Sequence, residues 1–215
     1  MAWTLHSAWR ATAPYRVRIG LKLKACEYDY HAIDLIAGQQ REPAYKAVNA
    51  QGLTPALDLG DGTVLAQSLA ILEWLEETRP EPPILPRGAL DRAIVRRMAG
   101  IVACDIHPLN NTRIGRKLTE LGVPADVQKT EWIQAWIRDG FDALEPLIEQ
   151  YGGAYAFGDA PTLADICLVP QLYSARRFEL DVTPWPRLVA AADHAAQHPA
   201  FQAAHPNQQP DAKPL

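Results

Sequence analysis

A proline-dense segment divides this chain into two parts that have different sequence patterns. Residues 79–87 include four prolines, and each proline ring removes a backbone donor that a helix needs. Before this segment, strand-like alternation and helical periodicity follow each other, whereas only helical patterns occur after it. The sequence therefore predicts an α/β domain at residues 1–79, a linker at 80–88 and an all-helical domain at 89–215.

The first domain begins with a strand that leads into a helix. Residues 3–7 alternate between polar and apolar side chains, and Pro14 fits the first helical position because its missing N–H would have no partner there. A second alternating segment at residues 27–33 completes a βαβ unit. The glycine-containing turn within residues 56–66 predicts a hairpin, and Ser68 is the predicted N-cap of the next helix.

The second domain shows helical periodicity alone. Thr162 and Asp165 form a capping-box pattern, in which each side chain accepts a hydrogen bond from the backbone of the other at a helix start. Residues 206–211 are polar and rich in proline, so we expect a frayed C-terminus. The predicted helices cover residues 90–119 with an interruption near Pro108, residues 125–150, residues 163–178 and residues 185–197.

The amino-acid composition limits which classes of protein and of binding partner are expected. The formal charge of -4 gives no reason to expect nucleic acid or an anionic membrane as a partner. Apolar runs end well short of the roughly 20 residues of a membrane span, and the chain does not open with a secretion signal, so we expect a cytoplasmic protein. Cys26, Cys104 and Cys167 are widely spaced, which favours buried thiols over disulfides or a metal site.

Two predicted helix starts are suited to anions. At the first, a loop of small residues that contains a single hydroxyl, Thr12, leads into the helix. At the second, Gln67 and Ser68 place an amide and a hydroxyl beside free N–H groups. A thiolate fits the first position and a carboxylate fits the second. The alternative for Thr12 is a structural hydroxyl that caps its helix.

Three stretches, residues 9–19, 53–57 and 67–71, resemble the glutathione-binding core of zeta-class glutathione transferases, the family of maleylacetoacetate and maleylpyruvate isomerases. In that family the first loop typically reads Arg-Ser-Ser-Cys or Arg-Ser-Ser-Ala, and an Arg-Val-Arg-Ile helix follows. This chain reads Arg-Ala-Thr-Ala at residues 10–13 and then Arg-Val-Arg-Ile. Thr12 is therefore the hydroxyl expected to hydrogen-bond the glutathione sulfur.

The resemblance extends into the second domain and implies a complete site. It implies a thioredoxin-like first domain, an all-helical second domain, a homodimer, and glutathione as coenzyme. It also implies that Pro55 follows a cis peptide bond, next to backbone that pairs with the cysteinyl part of glutathione. His107 is expected near the coenzyme and not as a general base. The residues expected to contact glutathione are Thr12, Gln40, Thr54, Pro55, Gln67, Ser68, His107, Asn111 and Thr112.

Arginines are expected to hold the substrate. Most arginines are solvated surface residues, but a cis-diacid carries two carboxylates, and planar guanidinium groups match carboxylates in shape and charge. By resemblance, Arg10 and Arg176 are the substrate clamps, and Arg113 is a weaker third. The residues expected to be catalytic are Thr12, Arg10 and Arg176.

The implied reaction is a glutathione-dependent cis–trans isomerisation of a maleyl-keto acid, either maleylpyruvate or maleylacetoacetate. A thiolate adds to the double bond, rotation follows, and elimination regenerates glutathione. Two alternatives stay open: a transferase or dehalogenase that acts on haloacids or other electrophiles, and a non-catalytic glutathione-binding protein. The arginines favour the isomerase because buried charges are unsuited to apolar electrophiles. Arg16 and Arg18 are expected to serve the fold or the dimer contact.

Overall fold

The computed structural model describes residues 2–213, which divide into two compact units. The α/β unit comprises the chain up to Ile84 together with the residues from His198 onward. The helical unit comprises Leu85–Gln197. The boundary at residue 84 lies inside the segment expected to be a linker. Met1 and Leu215, the outer limits of the expected domains, lie outside the described residues.

The α/β unit is built on a four-stranded sheet with the order β2-β1-β3-β4. Strand β1 (Thr4–Ser7) pairs in parallel with β2 (Asp29–Ala32) and antiparallel with β3 (Ala56–Asp58). Strand β3 pairs antiparallel with β4 (Val64–Ala66), which forms the edge. The predicted βαβ unit and hairpin are both present.

Helix α1 (Thr12–Leu23) starts two residues earlier than predicted. The carbonyl of Ala11 accepts the N–H of Tyr15 at 3.1 Å, so the helical bonding begins before Pro14. The N–H groups of the first helical turn have no partner within the helix. Proline lacks an N–H group, so it fits at later positions of this turn as well as at the first position. Residues 12–21 of the helix are all buried, so α1 runs through the interior of the unit.

Two further helices follow in this unit. Helix α2 (Pro43–Val48) comes after a 3-10 turn (Gln39–Arg41), and helix α3 (Ser68–Thr78) packs against α1. The prediction of Ser68 as N-cap was off by one residue. Gln67 precedes the helix with φ of +70°, and Ser68 is the first helical residue. A positive φ at a residue other than glycine is not indicated by local sequence patterns.

The helical unit contains shorter helices than the sequence periodicity suggests. Its first long segment, predicted over residues 90–119, is one helix followed by a π-helical turn, a 3-10 turn that contains Pro108, and a separate helix. The elements are α4 (Ala89–Gly100), the π turn Ile101–Ile106, the 3-10 turn His107–Asn110, α5 (Thr112–Glu120), α6 (Ala125–Val127), the π turn Gln128–Ile133, α7 (Gln134–Tyr151), α8 (Leu163–Arg177) and α9 (Pro186–Ala196).

Helix α8 lies at the centre of the helical unit, where it packs against α4 and α9. Its predicted capping box is present. The buried carboxylate of Asp165 accepts the N–H groups of Ala156 and Thr162, both at 2.8 Å, and the Thr162 hydroxyl at 2.9 Å. Burial raises the pKa of Asp165 to about 6, and these donors act in the opposite direction. Asp165 therefore has the structural role of a cap.

The expectation of a frayed C-terminus in the helical domain was wrong. Helix α10 (Pro199–Ala204) packs on α1 of the α/β unit. Further along, the carboxylate of Asp211 accepts the N–H of Trp9 at 3.1 Å and the hydroxyl of Tyr30 at 2.7 Å. These polar residues have fixed partners about 180 to 200 positions away in sequence, and local composition does not show such partners.

The three cysteines form no disulfide within residues 2–213. Cys26 and Cys167 are buried, as expected, but Cys104 is exposed, because it lies on the outward side of the π turn. No helix among the described residues combines the length and the apolar character needed to cross a membrane.

Substitution of Arg18 tests how the C-terminal segment is held. The buried guanidinium donates to the Ser7 hydroxyl, to the Trp9 carbonyl at 2.8 Å and to the Ala204 carbonyl at 3.0 Å. Arg18→Ala leaves these acceptors without their donor and should lower the free energy of unfolding by about 3 kcal/mol in urea titration. Lys22→Ala, at an exposed position of the same helix, should change it by less than about 0.5 kcal/mol. Equal stability of the two variants would contradict this role.

Candidate functional site

Thr12 occupies the first position of α1 and is almost fully buried. Ala11 precedes it, and no side chain caps the helix. The interpretation of Thr12 as a helix cap was therefore wrong. The first turn of α1 also contains no acidic residue, so its N–H groups and the helix dipole leave a positive potential at this point. A hydroxyl beside such a helix start is suited to an anion such as a thiolate.

Arg16 connects this helix start with the start of α3. It lies one turn after Thr12 on α1, is buried, and donates from its guanidinium to the Ser68 hydroxyl at 3.4 Å. A buried cation is costly unless polar groups surround it, so this contact fixes α1 and α3 relative to each other. The helix starts at Thr12 and at Ser68, the two predicted anion sites, are thus connected through Arg16.

The loops around α2 complete this part of the site. The peptide bond between Thr54 and Pro55 is cis, as the resemblance implied. The Gln67 side chain donates to the side-chain oxygen of Gln51 at 2.7 Å. Gly52 lies so close to Gln40 that a Cβ atom at this glycine would be 2.9 Å from the Gln40 carbonyl oxygen. Gln67 is therefore linked to the loop that contains Gln51 and Gly52, and Gly52 lies against Gln40.

Gln40 has a buried side-chain oxygen that suits a polar ligand. It is 5% exposed, and its amide nitrogen donates to the Leu35 carbonyl at 3.4 Å. Its side-chain oxygen is buried and accepts no hydrogen bond from any residue that the structure describes. An unsatisfied buried acceptor is unfavourable. A peptide ligand with N–H donors would satisfy it, so these residues fit glutathione.

Arg10 lies at the entrance to α1. Its guanidinium stacks over the Trp9 ring at 5.1 Å, and the side chain is partly exposed. The backbone of Trp9 is itself fixed by Asp211 and Arg18. Stacking on an aromatic ring leaves the donors at the edge of a guanidinium available. Arg10 is therefore oriented but still able to bind a carboxylate.

The remaining expected residues lie in the helical unit. His107 begins the 3-10 turn after the π turn, and Asn111 caps α5 by accepting the N–H of Arg113 at 3.0 Å. Thr112 and Arg113, at the start of α5, have exposed side chains. The carbonyl of Leu109 in this segment accepts the indole N–H of Trp132 at 2.8 Å. These contacts fix the backbone of the segment and leave the side chain of Arg113 at the surface.

Arg176, near the end of α8, has a partner that the sequence did not reveal. Its guanidinium makes two hydrogen bonds of 2.8 Å to the two carboxylate oxygens of Asp193 on α9. This contact raises the pKa of Arg176. Both side chains are about half exposed, at 48% and 47%. The group expected to bind a substrate carboxylate is thus bound to a carboxylate of the protein.

Two residues close to the site were not predicted from the sequence. The hydroxyl of Tyr45 and the side-chain amide of Asn49 both donate to the carbonyl of Leu53, each at 2.7 Å. This carbonyl comes directly before Thr54 and the cis bond. Asn49 ends a short helix and precedes a turn, a position where asparagine commonly bonds to nearby backbone. That signal was available in the sequence, but it did not identify Leu53 as the partner.

Comparison with known proteins agrees with this geometry. Residues 13–78 match the N-terminal domain of glutathione S-transferases, and residues 130–203 match the C-terminal domain. The chain is 46% identical, over 96% of its length and 97% of the relative, to the maleylacetoacetate isomerase of Pseudomonas aeruginosa. It belongs to the zeta-class glutathione transferase family. The expected family and fold class are thereby confirmed.

Solved structures of this family extend the likeness to the whole fold. One is a holo structure of maleylpyruvate isomerase, described as a bacterial zeta-class glutathione S-transferase, with a TM-score of 0.95, 45% identity, and coverage of 98% of this chain and 100% of that one. Another is maleylacetoacetate isomerase from Anaeromyxobacter dehalogenans, with a TM-score of 0.89, 44% identity, and coverage of 99% and 98%. The latter holds dicarboxyethyl glutathione and citrate in its active site.

Ser68→Ala tests the second helix start of this zeta-class chain. If the Ser68 hydroxyl and the N–H groups of α3 bind a carboxylate of glutathione, loss of one hydrogen bond to a charged group should weaken binding roughly tenfold. Isothermal titration calorimetry measures this affinity. Thr78→Ala, at the opposite end of α3, should bind glutathione as the wild type does. An unchanged affinity in Ser68→Ala would exclude this position from the binding site.

Proposed function

We propose that this chain is a glutathione-dependent cis–trans isomerase of a maleyl-keto acid. The observation that carries the proposal is that buried Arg16 joins the helix starts at Thr12 and Ser68. One start is suited to a thiolate and the other to a carboxylate, and glutathione contains both groups. The curated relative at 46% identity is named for this reaction class.

When bound, glutathione supplies the nucleophilic sulfur, which adds to the double bond, allows rotation and leaves again. The start of α1 stabilises that sulfur as an anion through its N–H groups and through the Thr12 hydroxyl, which donates a hydrogen bond to it. The protein itself provides no nucleophile. Its contribution is position and electrostatic stabilisation, which are large terms in catalysis.

Arginines hold the two carboxylates of the substrate in this proposal. Arg10, oriented by Trp9, binds one of them, and Arg176 binds another, with Arg113 as an additional cation. These cations also stabilise the negative charge that develops on the substrate when its double bond is attacked. The contact between Arg176 and Asp193 does not prevent this role, because it uses two of the five N–H donors of the guanidinium.

The adduct bound by a solved relative supports the same chemistry. Dicarboxyethyl glutathione is a thioether in which the sulfur carries a chain with two carboxylates, and citrate is a polycarboxylate. A site that accommodates both has room and charge for a diacid beside the glutathione sulfur. We extend this property to the present chain because the likeness covers 99% of its length. From the family resemblance we further propose a homodimer, and from composition a cytoplasmic location without nucleic acid as a partner.

Spectrophotometric assays with maleylpyruvate and maleylacetoacetate, each with and without glutathione, test the proposal. We expect isomerisation of at least one substrate only when glutathione is present, with no net consumption of glutathione. Conversion of haloacids that consumes glutathione or releases halide, without isomerisation, would support the transferase or dehalogenase alternative. Binding of glutathione without turnover of any of these compounds would support a non-catalytic protein.

Arg176→Ala tests the arginine clamp. Loss of a guanidinium that binds a carboxylate should raise the KM for the maleyl substrate at least roughly tenfold, while the Kd for glutathione stays within twofold. Steady-state kinetics and calorimetry measure the two quantities separately. Arg187→Ala is the matched control, since Arg187 also forms an exposed ion pair in the helical unit, with Glu149. Equal losses of substrate and glutathione binding in Arg176→Ala would contradict the assignment.

A further inference from the structure

We propose that Asn49 and Tyr45 are positioning residues that hold the glutathione-binding loop in its active geometry. The inference rests on the proposed function, because it concerns the same coenzyme site. Neither residue was among the expected ligands. Both act through the carbonyl of Leu53, which precedes the Thr54 backbone that is expected to pair with the cysteinyl part of glutathione.

The Leu53 carbonyl is bound by two donors from one side of the loop. Tyr45, 5% exposed on α2, donates its hydroxyl, and Asn49, 9% exposed just after α2, donates its amide, each at 2.7 Å. A carbonyl oxygen has two lone pairs, so these donors use its full accepting capacity. The peptide plane that joins Leu53 to Thr54 is thereby fixed, and with it the direction of the Thr54 N–H.

Tyr45 remains a donor over the whole physiological pH range. Burial raises its pKa to about 12, so the phenol stays protonated and its hydroxyl always points a hydrogen toward Leu53. The ring of Tyr45 also contacts the ring of His6 on β1 edge to face, at 5.9 Å between centroids. The hydroxyl is therefore held by a ring that is itself packed against the sheet.

Asn49 makes contacts that only an amide can make. Its nitrogen donates to Leu53, while its side-chain oxygen accepts the N–H of Gln51 at 3.1 Å. Its own carbonyl accepts the N–H of Gly52 at 2.9 Å. An aspartate at this position would keep the acceptor and lose the donor. The turn of residues 49–53 thus depends on one side chain with both a donor and an acceptor.

A second branch runs from Asn49 to the start of α3. Gln51, whose backbone Asn49 binds, accepts a hydrogen bond from Gln67 at 2.7 Å. Gln67 directly precedes Ser68, so this contact orients the amide that is expected beside the γ-glutamyl end of glutathione. Asn49 therefore supports two parts of the site, through Leu53 and through Gln51, whereas Tyr45 supports only the first.

Three variants separate these branches from a general effect on folding. Tyr45→Phe removes one donor to Leu53, Gln51→Ala breaks the link to Gln67, and Asn49→Asp removes the other Leu53 donor with almost no change in volume. Tyr28→Phe, in the same unit, is the matched control. We measure the Kd for glutathione by calorimetry, the melting temperature of the free protein, and the KM and kcat for the maleyl substrate.

We expect Asn49→Asp to weaken glutathione binding roughly tenfold or more. Tyr45→Phe and Gln51→Ala should weaken it several-fold, because each removes one hydrogen bond that holds the loop. With saturating glutathione, kcat and the KM for the maleyl substrate should remain close to wild type, because the loop is then ordered by the ligand. Tyr28→Phe should bind glutathione normally.

Two results would overturn the inference. One is a lower melting temperature in Asn49→Asp and Tyr45→Phe with an unchanged glutathione Kd for the folded protein, which indicates a structural role only. The other is a loss of kcat at saturating glutathione with no change in Kd. If the wild type binds glutathione but isomerises neither maleyl substrate, the proposed function fails, yet the Kd values of the variants still decide the positioning role.

Discussion

Residues 12–21 of helix α1 are all buried and nevertheless include two arginines, and this constraint organises the α/β unit. A guanidinium inside a protein needs acceptors for its donors, because an unpaired buried charge is strongly unfavourable. Arg18 finds them in β1, in the loop before α1 and in the C-terminal segment. Arg16 reaches the start of α3. Polar contacts, in addition to apolar packing, therefore fix the position of α1, the helix whose start is proposed to bind the sulfur.

Local patterns in the sequence were sufficient for much of the fold. The βαβ unit, the hairpin and the capping box at Thr162 are each encoded within a few adjacent residues, and all three are present. Features that depend on distant partners were not predictable in this way. The C-terminal segment is held by contacts such as that between Asp211 and Trp9, and nothing within that segment identifies those partners.

The candidate site shows the same division. The resemblance supplied the residues expected to bind glutathione, and the structure shows contacts of Ser68 and Gln67 among those in the α/β unit. Asn49 and Tyr45 were not predicted, because they bind the backbone carbonyl of Leu53. Every residue has such a carbonyl, so the residue type does not indicate which side chains will bind it. Asp193 was missed for a different reason: its pairing with Arg176 joins two helices, and helical periodicity gives no information about which charged faces meet.

We propose that the start of α1 holds the sulfur of bound glutathione as an anion. The most direct test is the pKa of that thiol in the complex, followed by the ultraviolet absorbance of the thiolate as pH is varied, in the wild type and in Thr12→Val. We predict a pKa at least about one unit below the ordinary thiol value of about 8.5 in the wild type, and a higher value in the variant. An unshifted thiol pKa in the wild-type complex would show that the start of α1 does not stabilise the thiolate.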